Sequence, residues 1–141
     1  MMDYFAYGSN MNYEHMRRVC GRHFTVLGLA KLSDFEFGVD NRGYVNIRPK
    51  TGAEVIGVLY DLDQEALDSL DEFEGYPEVF GRSQVDVTDK NGEYHKAWVY
   101  VEKPEAFGGW HIKPEHLKMI LAGAMENHLP EEWIKLLISY K

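Results

Sequence analysis

Apolar residues open the chain in a run from 2 to 7, interrupted only by Asp3, and the run stops at Gly8-Ser9-Asn10. A short continuous apolar run bounded by turn residues reads as a buried strand. Residues 12–20 carry a helical pattern halted by Gly21. The next forty positions alternate and predict four strands, at 24–32, 34–39, 44–48 and 54–62. Asn41-Arg42-Gly43 and Pro49-Lys50-Thr51-Gly52 supply turn chemistry between them.

Asp63 is an apt N-cap for a helix over 64–73, with Gly75 at its end and Pro77 against its continuation. Asn91-Gly92 between two β-rich runs predicts a hairpin of strands 79–88 and 93–102. A Gly/Pro loop over 103–110 follows. Pro114 opens a helix to about 127, and Pro130 opens a last one over 131–138. The order β-α-β-β-β-β-α-β-β-α-α lacks the steady alternation of a doubly wound sheet and predicts an α+β domain. The helix between the first two strands leaves room for one parallel pair in a mainly antiparallel sheet. Closure into a barrel does not follow from the pattern.

At 141 residues, 45% of them apolar, with no repeat or low-complexity tract, the chain reads as one domain over 1–141. A net charge of −8 argues against nucleic-acid binding, which needs clustered Lys and Arg. No apolar run approaches the ~20 residues of a membrane span, and no secretory signal is evident, so a cytoplasmic location is expected. Cys20, the single cysteine, reads as a small buried residue and not as a nucleophile.

Candidate chemistry gathers in two short segments. On the 64–74 helix, at about 100° per residue, Ala66, Leu67, Leu70 and Phe73 share an apolar face. Glu74 falls near that face, while Asp68 and Glu72 lie opposite; Asp71 and Glu72 are expected to be dispensable. A carboxylate held against apolar surface has its pKa raised toward the range useful for proton transfer. The alternative is a frayed last turn with Glu74 in water. The second segment is the turn after the first strand, where N–H groups around Gly8 and the following helix start can converge on an anion; an ordinary turn is the alternative.

The six histidines show no metal-ligand spacing, so no metal or other cofactor is expected. Ser9 lacks the second glycine of a nucleophile elbow. Tyr100 shares a strand face with Trp98 and reads as core. Arg82 reads as a surface residue or as a partner holding the site. Met119, Ile120, Gly123 and Ala124 read as a core stripe whose small pair lets the helix approach the sheet.

Phe5-Ala6-Tyr7-Gly8-Ser9-Asn10-Met11, Gly57-Val58-Leu59-Tyr60, Leu70-Asp71-Glu72-Phe73-Glu74-Gly75 and the stretch from Gly123-Ala124 to Trp133 stand in the order of the gamma-glutamylcyclotransferase family. The chain resembles that family over nearly its whole length. The resemblance implies a small mixed, mainly antiparallel β-barrel flanked by helices. It implies cyclisation of a small-molecule γ-glutamyl substrate to 5-oxoproline, with Glu74 as the acid/base. Carried over, the substrate-binding residues are Tyr7, Gly8, Ser9, Asn10, Met11 and Tyr100, joined by Arg82. Many relatives have Tyr-x-Arg or Tyr-x-Lys after the Glu-Gly pair where this chain has Phe80-Gly81-Arg82, and some have a tyrosine in place of His116. A γ-glutamylamine cyclotransferase, acting on an isopeptide or removing a γ-glutamyl protecting group, and a non-catalytic binding module of the same fold are the alternatives.

Overall fold

The structure, a computed structural model, describes residues 2–103 and 105–141; Pro104, part of the expected 103–110 loop, lies outside them. The strands are β1 (Met2–Ala6), β2 (Phe24–Val39), β3 (Val45–Leu62), β4 (Gly81–Asp89) and β5 (Tyr94–Val101). The helices are α1 (Tyr13–Cys20), α2 (Gln64–Glu74), α3 (Pro114–Glu126) and α4 (Glu131–Ile138), and a 3-10 turn spans Ser9–Met11. The strands close into a barrel in the order β1-β3-β2-β4-β5. Closure comes from β1, which runs antiparallel to β3 and parallel to β5 through Asp3↔Ala97 and Tyr4↔Trp98.

The four strands expected over 24–62 are in fact two long ones, β2 and β3, paired from Phe24↔Leu62 to Val39↔Val45. The turn chemistry at Pro49–Gly52 is spent differently. It lies inside β3, opposite an irregularity between Ser33 and Phe35 where Asp34 takes a φ of 64°. The Gly52 N–H donates to Asp34 Oδ1 at 3.0 Å, so a kink absorbs residues that elsewhere form a turn. The last hairpin follows expectation: Asp89 Oδ1 accepts from the Asn91 and Glu93 N–H groups around Gly92. β4 starts at Gly81 and not at 79, because the Val79 N–H is tied back to the Gly75 carbonyl at 2.8 Å.

Val55 to Tyr60 in β3 are all buried, although successive side chains point to opposite faces. Both faces of the barrel wall are therefore covered there. Tyr60, Phe5, Leu59, Leu62, Leu70 and Ile120 are among the wholly buried side chains. Cys20 is buried as expected, its thiol pushed up to about 11 by burial. No helix among the described residues is long and apolar enough to cross a membrane.

Candidate active site

Every distant motif of the sequence converges on the turn after β1. Gly57 stands beneath it, since a Cβ there would lie 2.2 Å from the Ala6 carbonyl oxygen. Tyr60 donates its hydroxyl to the Asn10 carbonyl at 2.6 Å. From α3, Gly123 packs on the turn itself; a Cβ would come within 2.5 Å of the Met11 carbonyl carbon. The close approach of Gly123 is thus to this turn and not, as expected, to the sheet. Glu126 accepts from the Tyr13 N–H at 2.7 Å, and Asn127 Nδ2 donates to the Met11 carbonyl at 3.2 Å. α1 begins at Tyr13 with Asn12 as its cap, its side chain accepting from the His15 N–H.

The turn closes through Met11 N–H to the Gly8 carbonyl and Asn12 N–H to the Ser9 carbonyl, both 3.0 Å. The amides of Ser9 and Asn10 precede these bonds, at the open start where a helical ladder offers no acceptor. Gly8 does not need a left-handed backbone, its φ being −124°. A Cβ there would sit 2.8 Å from Val45 Cγ2, so bulk is what the position excludes.

Facing the turn is the C-terminal end of α2. Asp63 caps its start by accepting from the Ala66 N–H at 2.9 Å, and Gly75, with φ 71°, ends it one residue after Glu74. Ala66, Leu67 and Leu70 are buried as the pattern predicts. Phe73 is not; it is 50% exposed, with its ring 4.9 Å from that of His15. The last turn of α2 overhangs the core, so its apolar face covers a cavity mouth. Asp68 and Glu72 are exposed as expected.

The cavity has a volume of about 430 Å³. Tyr4, Tyr7, Gly8, Ser9, Asn10, Glu74 and Tyr100 line it on the barrel side. Glu74 Oε1 accepts from Asn10 Nδ2 at 3.1 Å, and the same nitrogen donates to the Tyr4 hydroxyl at 2.7 Å. Burial pushes the Glu74 carboxyl up to about 7, against a smaller opposing effect of the Asn10 amide. Burial also raises the hydroxyls of Tyr4, Tyr7 and Tyr100, which stay protonated. The site thus sets a carboxyl whose pKa is raised beside tyrosine hydroxyls that stay protonated.

The structure brings Tyr7, Gly8, Ser9, Asn10, Tyr100 and Glu74 to one cavity and places two expected residues beside it. Met11 is wholly buried, its N–H committed to Gly8, and it does not line the space. Arg82 is neither on the open surface nor on the cavity wall. It donates to Asp71 at 2.8 and 3.2 Å and lies over the rings of Trp98 and Tyr76. Tyr100 donates its hydroxyl to the same Asp71 carboxylate at 2.7 Å, and Tyr7 donates to the Tyr100 carbonyl at 2.7 Å. Asp71 is therefore no idle neighbour of Glu74, as the sequence suggested, but the acceptor that fixes Tyr100.

Sequence reasoning missed His15, Arg42, Tyr44 and Val45 on the opposite wall; His116 and Phe80, noted in the sequence as departures from relatives, line the cavity too. Burial lowers both histidines, His116 to about 4, so they are neutral at ordinary pH. These two histidines are some hundred positions apart in sequence, and topology brings them to one space. Among the described residues, Asp89, Glu93 and His95 lie close enough to one another to share a metal ion. They sit on the last hairpin, outside the cavity lining, with both His95 nitrogens already on Asp3 and Asp89.

With this geometry, comparison with known proteins is specific. A family model described as gamma-glutamyl cyclotransferase, AIG2-like, matches residues 4–119. Human gamma-glutamylcyclotransferase is 32% identical over 143 residues, spanning 92% of this chain and 73% of that protein. Gamma-glutamylaminecyclotransferase A of Danio rerio is 41% identical over 54 residues, 37% of this chain. A solved gamma-glutamyl cyclotransferase structure superposes with a TM-score of 0.90 at 27% identity, covering 99% of this chain and 88% of that one. The barrel implied by the resemblance is the barrel found, and the chain belongs to the gamma-glutamyl cyclotransferase, AIG2-like family.

Proposed function

We propose that this protein is a cytoplasmic gamma-glutamylcyclotransferase acting on a small γ-glutamyl compound without a cofactor. In the reaction, the substrate's α-amine attacks its own γ-carbonyl carbon. A C–N bond forms to close the five-membered ring, the original amide C–N bond breaks, and 5-oxoproline and an amine leave. Glu74 takes the proton from the attacking amine and returns it to the departing nitrogen.

The observation that carries this reading is the Glu74 carboxyl itself. It is half-buried, lacks a paired cation among the described residues, and is held up to about 7 opposite the open amides of the turn. A base poised near the working pH contributes a typical factor of about 10²–10⁴. The Ser9 and Asn10 amides hold the glutamyl half and meet the oxygen on which charge develops. No activated nucleophile is required, because the nucleophile arrives inside the substrate. Alignment in a near-attack pose contributes up to roughly 7–11 kcal/mol in favourable systems. The Cys20 thiol, pushed up to about 11, is unsuited to that role.

A γ-glutamylamine or isopeptide substrate would use the same Glu74, and the partial likeness to the Danio rerio protein favours keeping that reading in view. Product analysis tests the proposal and separates it from a binding module. An active γ-glutamyl compound should give 5-oxoproline as primary product, its N-acetyl derivative should release nothing, and EDTA should leave the rate unchanged. Free glutamate, or turnover of the N-acetyl compound, would show that water attacks and would overturn the mechanism.

A further inference from the structure

The cyclisation leaves one charged wall of the cavity without a task. Arg42 is the one Arg or Lys that lines the space among the described residues, and the neighbouring histidines are neutral. Its guanidinium is fixed by the chain around it. Nε and Nη2 donate to Asp40 Oδ2 at 3.3 and 2.9 Å, and Nη2 donates also to the Glu102 carboxyl. Asp40 and Glu102 are 3% and 8% exposed, so the anchor is internal, whereas the Arg42 side chain is half exposed. These bonds occupy Nε and Nη2. Among the described residues, the two Nη1 hydrogens have no protein acceptor.

Asp40 and Glu102 together offset the positive charge of Arg42, and burial with the adjacent Asp40 raises the Glu102 carboxyl. What the anchor leaves over is the pair of Nη1 donors. Tyr44, on the same wall, has Arg42 5.1 Å from its ring centre and the Lys113 ammonium at 4.7 Å. Lys113 also donates to the Tyr44 hydroxyl at 3.4 Å. Two cations thus meet on one ring, in a chain of net charge −8. A fixed guanidinium with free donors in a partly desolvated cavity suits an anionic group, a carboxylate above all.

Every γ-glutamyl substrate shares its glutamyl half, which the turn amides and Glu74 receive. What differs between substrates is the amine that leaves. We infer that Arg42 is the specificity-determining residue of this site: it receives a carboxylate borne by the leaving amine, and so favours substrates carrying one over otherwise identical substrates without it. This rests on the cyclotransferase reading above. A charge-assisted hydrogen bond of this kind corresponds to about 10–100-fold in kcat/KM.

A matched pair of compounds isolates that one group: γ-glutamyl-alanine and γ-glutamyl-ethylamine differ only in the carboxylate. The wild-type protein should prefer the alanine compound by 10–100-fold in kcat/KM, with the difference in KM. Arg42→Ala should bring the ratio below about 3, and Arg42→Lys should leave it between the two. The ratio is taken on one preparation and does not depend on the fraction that is folded. If wild type shows no preference, or Arg42→Ala slows both compounds alike, Arg42 serves the glutamyl half or the scaffold and the inference is overturned. If neither compound yields 5-oxoproline, the cyclotransferase reading falls. Calorimetric Kd values for the two compounds then decide about Arg42: a tenfold preference lost in Arg42→Ala retains it as a carboxylate receptor, and equal affinities remove it.

Discussion

Asp71 and Glu74 stand three residues apart on one helix, and the fold treats them in opposite ways. Asp71 accepts from Arg82 and from the Tyr100 hydroxyl, tying α2 to β4 and β5. Glu74 receives one amide hydrogen from Asn10 and, among the described residues, no cation. The first carboxylate is engaged by a guanidinium and a tyrosine hydroxyl, which occupy both its oxygens. The second is half-buried, without a guanidinium among the described residues, and is held up to about 7. Under the proposed function, it is the missing counter-ion and not nearness to the cavity that suits Glu74 to the role of base.

The largest effect should come from removing the unpaired member. Glu74→Gln keeps the shape and can hydrogen-bond to Asn10, but it cannot take a proton. Steady-state 5-oxoproline release should fall at least about 100-fold in kcat, with circular dichroism and substrate affinity near wild type. A variant within threefold of wild type would remove Glu74 as the base.

Breaking the paired member should act on structure first. Asp71→Asn leaves Arg82 without its carboxylate and weakens the hold on the Tyr100 hydroxyl. Denaturant unfolding should show a loss of about 1–3 kcal/mol, with a fall in kcat/KM of up to tenfold on the surviving fold. Unchanged stability would mean that the Arg82 pair is ornamental.

Glu74 also makes stability depend on pH. The folded protein holds the Glu74 proton up to about 7, whereas the unfolded chain releases it near 4.5. Between those values the native state binds more protons, so stability falls as pH rises and the loss is complete above about 7. At ~1.4 kcal/mol per unit, the ceiling is about 3 kcal/mol. Glu102 acts in the same direction, so the measure is the difference in Tm between wild type and Glu74→Gln, which should widen from pH 5 to pH 8. The smallest effect belongs to Asp68→Asn on the exposed face of the same helix, where activity should hold and stability should change by less than about 0.5 kcal/mol.

This contrast was only half legible in the sequence. Helical phase placed Glu74 inward, because periodicity is a local property and Gly75 fixes where α2 ends. It could not show that Arg82 crosses to Asp71, since that contact depends on how β4 packs on the helix. The same phase put Phe73 in the core, and it failed because the helix outruns the core by a turn. Strands 24–39 and 45–62 were read as four, for Asp34 and Pro49–Gly52 carry turn chemistry that the fold uses as a kink. Barrel closure rests on β1 meeting β5, residues some ninety positions apart, and leaves no local trace. The glycine and Asn-Gly signals were the most reliable, because Gly75 and Gly92 adopt the left-handed backbones those residues favour. Arg42, Tyr44, His15 and His116 carry no motif and become a wall only through topology.

The central claim is that Glu74 is an unpaired carboxyl titrating near neutrality, and the most direct measurement is its titration by carboxyl-carbon NMR on glutamate-labelled protein. The Glu74 resonance is identified by its loss in Glu74→Gln. It should titrate with a midpoint near 7, well above the ordinary glutamate value of 4.5, and keep that midpoint as salt is added. A Glu74 resonance that titrates at the ordinary glutamate value would contradict the account, for the carboxylate would then be ionised throughout the working range and too weak a base for the role.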